Sequence, residues 1–397
     1  MKSNYTIIIT AVYPPEPVVS AKLSSDLYRA LNADGRLVKV LHPVPTRPNG
    51  FSFDCTLSPS EDEITINSYT CPQSSMFGRI RESYSFGKAC KQYIQKHHNE
   101  LSCVYANAWP MFSQRAIVKA AKEYGIPVAI HVQDVYPESL TNKLPAFIGK
   151  LLKGLLLPMD KFILRNCNKV IAISDKMKDY LVKTRGVEEG KVSVVINWQD
   201  ETEFLEYQKN NQAETHEKFT FMYMGNIGPV AGVDLLIDAF EHAKLEGARF
   251  VIAGSGSMKD SLKEKAKNNQ SIEFWDVPNG KVPEIQSEAD VMLLPIKKGA
   301  ASSSIPSKLP AYMFSAKPII GSMDEDSDTA NAIREAHCGA IVEPENVRIL
   351  ADTTVRMKAT NRLELETMGK KGQEYALEHL SKGANLKNLT KVIGELL

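Results

Sequence analysis

Residues 219–244, "FTFMYMGNIGPVAGVDLLIDAFEHAK", decide the fold. The run FTFMYM is apolar without alternation, which is how a strand buried on both faces reads; a strand with one wet face would alternate. It stops at Gly225, a short glycine-bearing turn follows, and in VDLLIDAFEHAK the apolar residues return at helical spacing. Strand, turn and helix of this kind are the repeating unit of a parallel, helix-covered sheet. Downstream the unit recurs: strands RFVIAG, IEFWDV, DVMLLPI and GAIVEP alternate with helical stretches. Upstream, a first series runs YTIIITAVYPP, GRLVKVLHPV, CVYANAW, GIPVAIHVQD and CNKVIAISDKM, again with helical stretches between. The polar segment ETEFLEYQKNNQAETHEK separates the two series. The expected fold is therefore α/β, with two Rossmann-like domains whose parallel sheets face a central cleft, where ligands bind beyond the carboxyl ends of the strands. The expected boundaries are 1–198 for the first domain, 199–218 for a linker and 219–375 for the second domain. A final helical stretch, 376–397, packs across the second domain or returns to the first.

The chain has 397 residues, more than one ordinary core holds. With 43% hydrophobic residues, 24% charged residues and a net charge of +1, it is neither disordered nor globally drawn to nucleic acid. Its six cysteines are scattered, with no C-x-x-C pair and no Cys/His spacing suited to a metal, so a reducing compartment is the simplest reading. The start, MKSNYTIIITAVYPP, reads directly as a strand rather than a signal peptide, and no window is apolar enough to span a bilayer.

Four stretches carry candidate chemistry. AGSGSMKD (253–260) has Gly254 and Gly256 between strand and helix, but Lys259 stands where a dinucleotide fingerprint needs its third glycine, so a tight turn beside a ligand is expected. In MGNIGPVAG (224–232), Gly225, Asn226 and Gly228 lie where backbone N–H groups cradle an anion. In SSSIPSKLPAYMFSAKPIIGS (302–322), a helix is expected from Lys308 to Ser315 with Ser307 as its N-cap. Its first turn, Lys308 and the hydroxyls of Ser303 and Ser304 then converge on a phosphate or diphosphate. In IHVQDVYPES (130–139), His131, Asp134 and Glu138 emerge near a strand's carboxyl end; a lone histidine is usually structural, but two carboxylates beside it favour a catalytic role. Glu16 and Lys22, in the first loop and the helix after it, are candidates for the acceptor side.

Residues 79–96 and 143–165 each carry five Lys/Arg against one acid, and the second interleaves Lys150 and Lys153 with Phe, Ile and Leu. That pattern suits a helix lying on anionic headgroups, or an ordinary core helix with a solvated charged face.

Taken together, YPPEPVVSAK (13–22), HVQDVYPES (131–139), INWQDETEF (196–204), YMGNIGPVAGVDLLIDAF (223–240), ADVMLLPI (289–296) and PSKLPAYMFSAKPII (306–320) resemble glycosyltransferase family 4 over nearly the whole chain. Within it the likeness is to the capsule and O-antigen branch, including N-acetyl-L-fucosamine transferases. The resemblance implies the GT-B architecture, a nucleotide-sugar donor in the second half, an acceptor in the first and retention of anomeric configuration. Four positions depart from the family pattern. Ser303 and Ala311 stand at its two usual glutamates, and Asn226 and Ala231 at its usual donor-clamping arginine and lysine. Lys308, Ser303 and Ser304 are expected to supply the missing positive potential.

The expected activity is transfer of a hexose or N-acetylaminosugar from a nucleotide sugar to a polyprenyl-diphosphate-linked or saccharide acceptor in bacterial capsule or O-antigen synthesis. The donor is a substrate, a UDP-sugar more than a GDP-sugar; no cofactor, metal or nucleic acid is expected. The expected location is the inner face of the cell membrane, with the protein peripheral on its anionic surface. Two rivals stand beside this reading: a sugar-nucleotide epimerase of the same fold, and a sugar-nucleotide-binding subunit without turnover.

Overall fold

A computed structural model describes residues 4–46, 61–71, 75–108, 111–142, 144–211, 217–229, 231–298 and 305–397. The chain forms two compact units, one of residues 1–197 with 385–397, the other of residues 198–384.

In the first unit, the strands among the described residues are β1 (Tyr5–Ile9), β2 (Val38–Pro43), β3 (Glu63–Ile66), β4 (Leu101–Ala108), β5 (Val128–Val132), β6 (Lys169–Ala172) and β7 (Val192–Val194). They pair in the order β3-β2-β1-β4-β5-β6-β7, each pair parallel. The unbroken apolar runs follow from burial on both faces: all five residues of β1 and all five of β5 are buried. Fully burying a side chain such as Ile7, Ile8 or Ile9 contributes about 1.5–3 kcal/mol. Helices between the strands begin and end on local signals. Ser174 accepts a hydrogen bond from Met177 N at the start of Asp175–Arg185, and Gly186, at φ +64°, ends it.

In the second unit the strands are β8 (Phe219–Met224), β9 (Ala248–Ala253), β10 (Ile272–Trp275), β11 (Val291–Pro295), β12 (Ile319–Ser322) and β13 (Gly339–Val342), in the order β10-β9-β8-β11-β12-β13 and again all parallel. Both orders reverse direction once, between β1 and β4 and between β8 and β11. Loops leaving the carboxyl ends of those strands diverge to opposite sides, which opens the crevice where doubly wound sheets bind ligands.

Two boundaries differ from expectation. The polar segment read as a linker, 199–218, contains a helix, Thr202–Asn210, that belongs to the second unit: Phe204 is 2% exposed, and Tyr207 bonds Ser287 at 3.0 Å. One apolar side chain with a place in a core outweighs the polar composition around it. At the other end, of the two courses expected for the final stretch the chain takes the return to the first unit, but from 385 rather than 376: Asn385 Oδ1 accepts from Ile196 N (3.1 Å) and Glu395 pairs with Lys169 (2.7 Å).

Candidate functional site

The crevice of the second unit is built where β8 and β11 diverge. Past Met224 the chain turns through Gly225, whose φ of +149° favours glycine, and a Cβ there would lie 2.4 Å from Lys308 Cε. Gly254 ends the neighbouring strand the same way, with φ +133° and a would-be Cβ 2.2 Å from the Gly225 carbonyl oxygen. The two glycine loops thus lie backbone against backbone. They are joined by Gly225 N to Ala253 O (3.0 Å), Ile227 N to Ser255 O (2.8 Å) and Met258 N to Ile227 O (3.0 Å). Of the loop N–H groups expected to cradle an anion, that of Gly225 is therefore spent on this packing, as is that of Ile227 beside Asn226 and Gly228.

Lys308 opens the helix Lys308–Phe314, in which every residue from Leu309 to Phe314 is buried. Tyr312 anchors that helix to the end of β8, its hydroxyl accepting from Met224 N (2.9 Å) and donating to Met224 O (2.7 Å). The anchor holds Lys308 above Tyr223, to whose hydroxyl Nζ donates at 2.6 Å, with Nζ 4.6 Å from the ring centroid. Among the described residues no carboxylate pairs with Lys308. Burial without a counter-charge pulls its pKa down to about 8. Tyr223 in turn donates to Asn226 O (2.7 Å), so lysine, tyrosine and glycine loop form one connected set.

Other expectations change here. Ser307 is in the helical region (φ −56°, ψ −17°) and its side chain makes no cap bond, so the charge of Lys308, not a capped helix end, is what the site offers an anion. Ser303 and Ser304 lie outside the described residues. Gly228 and Asn226 lie on the loop as expected, Asn226 exposed. Ala311 is buried at 6% exposure, so no carboxylate stands there.

Sequence reasoning missed two features of the same unit. A cavity of about 510 Å³ opens beyond the carboxyl ends of β11, β12 and β13, lined by Lys298, Asp324, Glu325, Asp326 and Glu343. Its acids come from two short loops that show no motif, so composition alone does not reveal them. A second cavity, about 410 Å³ and bordered by Asp290 and Lys317, lies at the amino ends of β11 and β12, away from the crevice. Among the described residues no cluster of His, Cys, Asp and Glu could hold a metal.

In the first unit the three expected catalytic residues separate. His131 is corrected: it is 0% exposed inside β5, flanked in register by Asn107 and Ile171, and its Nδ1 lies 2.7 Å from Tyr105 Oη. Burial lowers its pKa to about 3, so it stays neutral. The error was one of strand position, since a central strand covered on both faces hides both its even and odd residues. Glu138 is also corrected. It is 9% exposed and bonded to Arg185, to Tyr180 (2.8 Å) and to Lys153 (3.1 Å). Burial opposes its charge, but the bonds from Arg185 and Tyr180 hold its carboxyl below the usual range. Arg185, 1% exposed, also binds Asp160 (2.5 Å), and this buried network fastens helix to helix. Asp134 alone of the three is exposed. Glu16 is 5% exposed and accepts from Thr46 N at 2.7 Å, a loop anchor rather than an open acceptor contact. Lys22 is exposed on the helix Val19–Ala33.

Residues 23–203 match the family model Glycosyltransferase Family 4, and residues 218–360 match Glycosyl transferases group 1. A probable glycosyltransferase of Pseudomonas aeruginosa, WbjE, is 26% identical over 238 residues, 57% of this chain and 58% of that protein, less than two thirds of its length. The putative colanic acid biosynthesis glycosyl transferase WcaI of Escherichia coli is 26% identical over 75% of this chain and 78% of its own. Among solved structures, a glycosyltransferase from Rickettsia africae superposes with a TM-score of 0.70 at 13% identity, covering 99% of this chain and 98% of that one. Anabaena HepE in complex with UDP gives 0.64 at 12% identity over 98% and 100%. These likenesses show the GT-B fold. A glycosyltransferase family model thus matches part of each unit, Glycosyltransferase Family 4 chiefly in the first and Glycosyl transferases group 1 in the second.

Proposed function

We propose that the protein transfers a sugar, with retention, from a nucleotide-sugar donor held by the second unit to a lipid-linked or saccharide acceptor on the first, in bacterial capsule or O-antigen synthesis. The observation that carries this reading is Lys308, a partly buried cation without a carboxylate partner among the described residues, held over Tyr223 at the point where β8 and β11 diverge. As the nucleoside diphosphate departs, negative charge grows on its phosphate oxygens, and a preplaced ammonium stabilises that charge more than it stabilises the ground state. The acid-lined cavity beyond β11–β13 suits the donor sugar, because carboxylates accept hydrogen bonds from sugar hydroxyls. The complex of HepE with UDP supports a uridine nucleotide. In the first unit Asp134 is the exposed carboxylate at the carboxyl end of β5, placed to orient an acceptor hydroxyl. The sugar class is a hexose or an N-acetylaminosugar, including the N-acetyl-L-fucosamine that the sequence likeness suggests.

The absence of a carboxylate at Ala311 favours, as a second reading, a subunit that binds the donor without turning it over. Incubation with a panel of UDP- and GDP-sugars, with and without lipid-linked acceptors, separates the two. Nucleotide release that requires acceptor establishes transfer. Binding without release establishes the second reading, and interconversion of the free nucleotide sugar would make the protein an epimerase.

A further inference from the structure

Three helices of the first unit pack side by side on one face of its sheet: Met76–His97, Met111–Glu123 and Ala146–Asn166, the middle one touching both others. The outer two carry apolar side chains that no described residue of the unit covers. On the first, Phe77, Ile80 and Tyr84 are 80%, 46% and 70% exposed and follow one another at i, i+3 and i+7. On the third, Phe147, Leu151 and Leu155 are 82%, 69% and 74% exposed at i, i+4 and i+8. Each set is one stripe of a helix, not scattered single residues. From 146 to 157 the third helix buries only Gly149; beyond Pro158 it turns to ordinary core residues, with Ile163 and Leu164 at 0% and 2%.

The charge that the two outer helices present to solvent is positive. The outer helices carry two acids, Glu82 and Asp160, 5% and 6% exposed, and each is consumed by an arginine, Arg79 at 2.9 Å and Arg185 at 2.5 Å. What those helices present outward is Arg81, Lys88 and Lys150, and the middle helix adds Arg115 and Lys119 between them. Both stripes also sit near the helix starts. One helix begins after the chain leaves β3 and the other after it leaves β5, so the stripes lie toward the carboxyl edge of the sheet.

We propose that this face docks on an anionic phospholipid bilayer, the two apolar stripes entering the boundary between headgroups and acyl chains while the surrounding lysines and arginines meet the phosphates. Apolar stripes alone would suit a protein partner, and basic residues alone a solvated surface; a double apolar stripe bounded by cations, its acids turned inward, matches a surface that is apolar within and negative at its rim. Among the described residues no helix is long and apolar enough to cross a membrane, so the stripes lie along the interface rather than span it. The docking deepens the proposed transfer to a lipid-linked acceptor, since it brings the carboxyl edge of the first sheet to the leaflet.

Vesicle flotation, run without nucleotide or sugar, tests the surface separately from transfer. Full-length protein should float with vesicles of phosphatidylcholine and phosphatidylglycerol and stay down with phosphatidylcholine alone. Lys119→Glu with Lys150→Glu should lower partitioning roughly tenfold or more, and so should about 0.5 M salt. Phe147→Ser with Leu155→Ser should lower it by a similar factor at low salt, with an unchanged melting temperature because both side chains already face water. Wild-type protein that fails to bind anionic vesicles, or binding that survives both pairs of substitutions, overturns the proposal. So does a dimer in sedimentation equilibrium that the serine variant dissociates, which would make the face a contact between two copies. None of these outcomes bears on nucleotide release with a soluble acceptor, so failure here leaves the transfer reading standing.

Discussion

Replacing Lys308 by methionine keeps the stem that fills the space over Gly225 and removes only the charge. A charge-assisted contact to a phosphate contributes about 1.5–3 kcal/mol, so UDP affinity should fall roughly ten- to a hundredfold, while uridine, which carries no phosphate, should bind as before. The pH dependence makes the test sharper. In the free protein Lys308 has a pKa of about 8, lowered by burial, and bound diphosphate raises it again by supplying the missing counter-charge. Affinity is then flat below the free value and falls as pH climbs through it, because above it the lysine must take up a proton to bind. With half the lysines charged near pH 8, affinity should drop about tenfold between pH 7 and 9, and the methionine variant should show no such slope. The terminal phosphate of UDP, with a second pKa of about 6, and its uracil N3–H titrate at the two ends of that range, but they do so equally with both proteins, so the difference between the two profiles reads the lysine. Calorimetric titration of wild type and variant with UDP and uridine at three pH values reads all of this. Equal UDP affinity in the two proteins, or parallel pH profiles, would remove the diphosphate from this crevice.

Tyr312→Phe deletes the bonds that tie the lysine's helix to Met224 and leaves that buried N–H and carbonyl without them; it should cost about 1–3 kcal/mol in urea unfolding and weaken UDP binding through misplacement of Lys308. A variant with unchanged stability and affinity would show that the anchor does not position the site. Glu138→Gln leaves Arg185, 1% exposed, short of a counter-charge and should destabilise the protein by about 3–5 kcal/mol with UDP affinity intact; normal stability with transfer abolished would restore the carboxylate to a catalytic role. For His131, the pKa depressed to about 3 means that the unfolded chain takes up a proton, below about pH 6.5, that the folded one refuses, so stability falls on acidification. Between pH 6.5 and 5 wild type should lose about 2 kcal/mol more than His131→Leu, and equal losses would mean that the ring is not enclosed.

The fold was legible because burial on both faces writes itself into consecutive residues. YTIII and FTFMYM each hold a central place in a parallel sheet, and neither needs a distant partner to be recognised as a strand. The same property hid the chemistry of the first unit. GIPVAIHVQD contains a histidine among apolar residues, and position in sequence cannot say whether such a residue stands inside the strand or just past its end. The structure places the last strand residue at Val132, one residue beyond His131, and that single step decides between a ligand contact and a core hydrogen bond to Tyr105. Glu138 was misread for a related reason. Its partner Arg185 lies 47 residues downstream at the end of another helix, and local reading has no access to that pairing.

The crevice of the second unit was half legible, and the halves differ in physical kind. A glycine forced to positive φ, or a lysine opening a short helix, leaves a local mark that can be read from neighbouring residues. What turns Lys308 from a surface charge into a partly buried cation is its bond to Tyr223 and, through Tyr312, the bonds of its helix to Met224, more than eighty residues away along the chain. Those tyrosines look like core residues in sequence, and by burial they are. Their hydroxyls nevertheless set where the lysine stands and, through Tyr312, where its helix begins. The absence of a glutamate at Ala311 and of clamping cations at Asn226 and Ala231 therefore does not empty the crevice of charge. Positive potential enters from the opposite strand of the switch point, carried by a side chain whose position depends on two buried phenols. On the proposed reading, a site rebuilt in this way would meet the electrostatic requirement of a departing diphosphate while losing the residues by which a motif would be recognised.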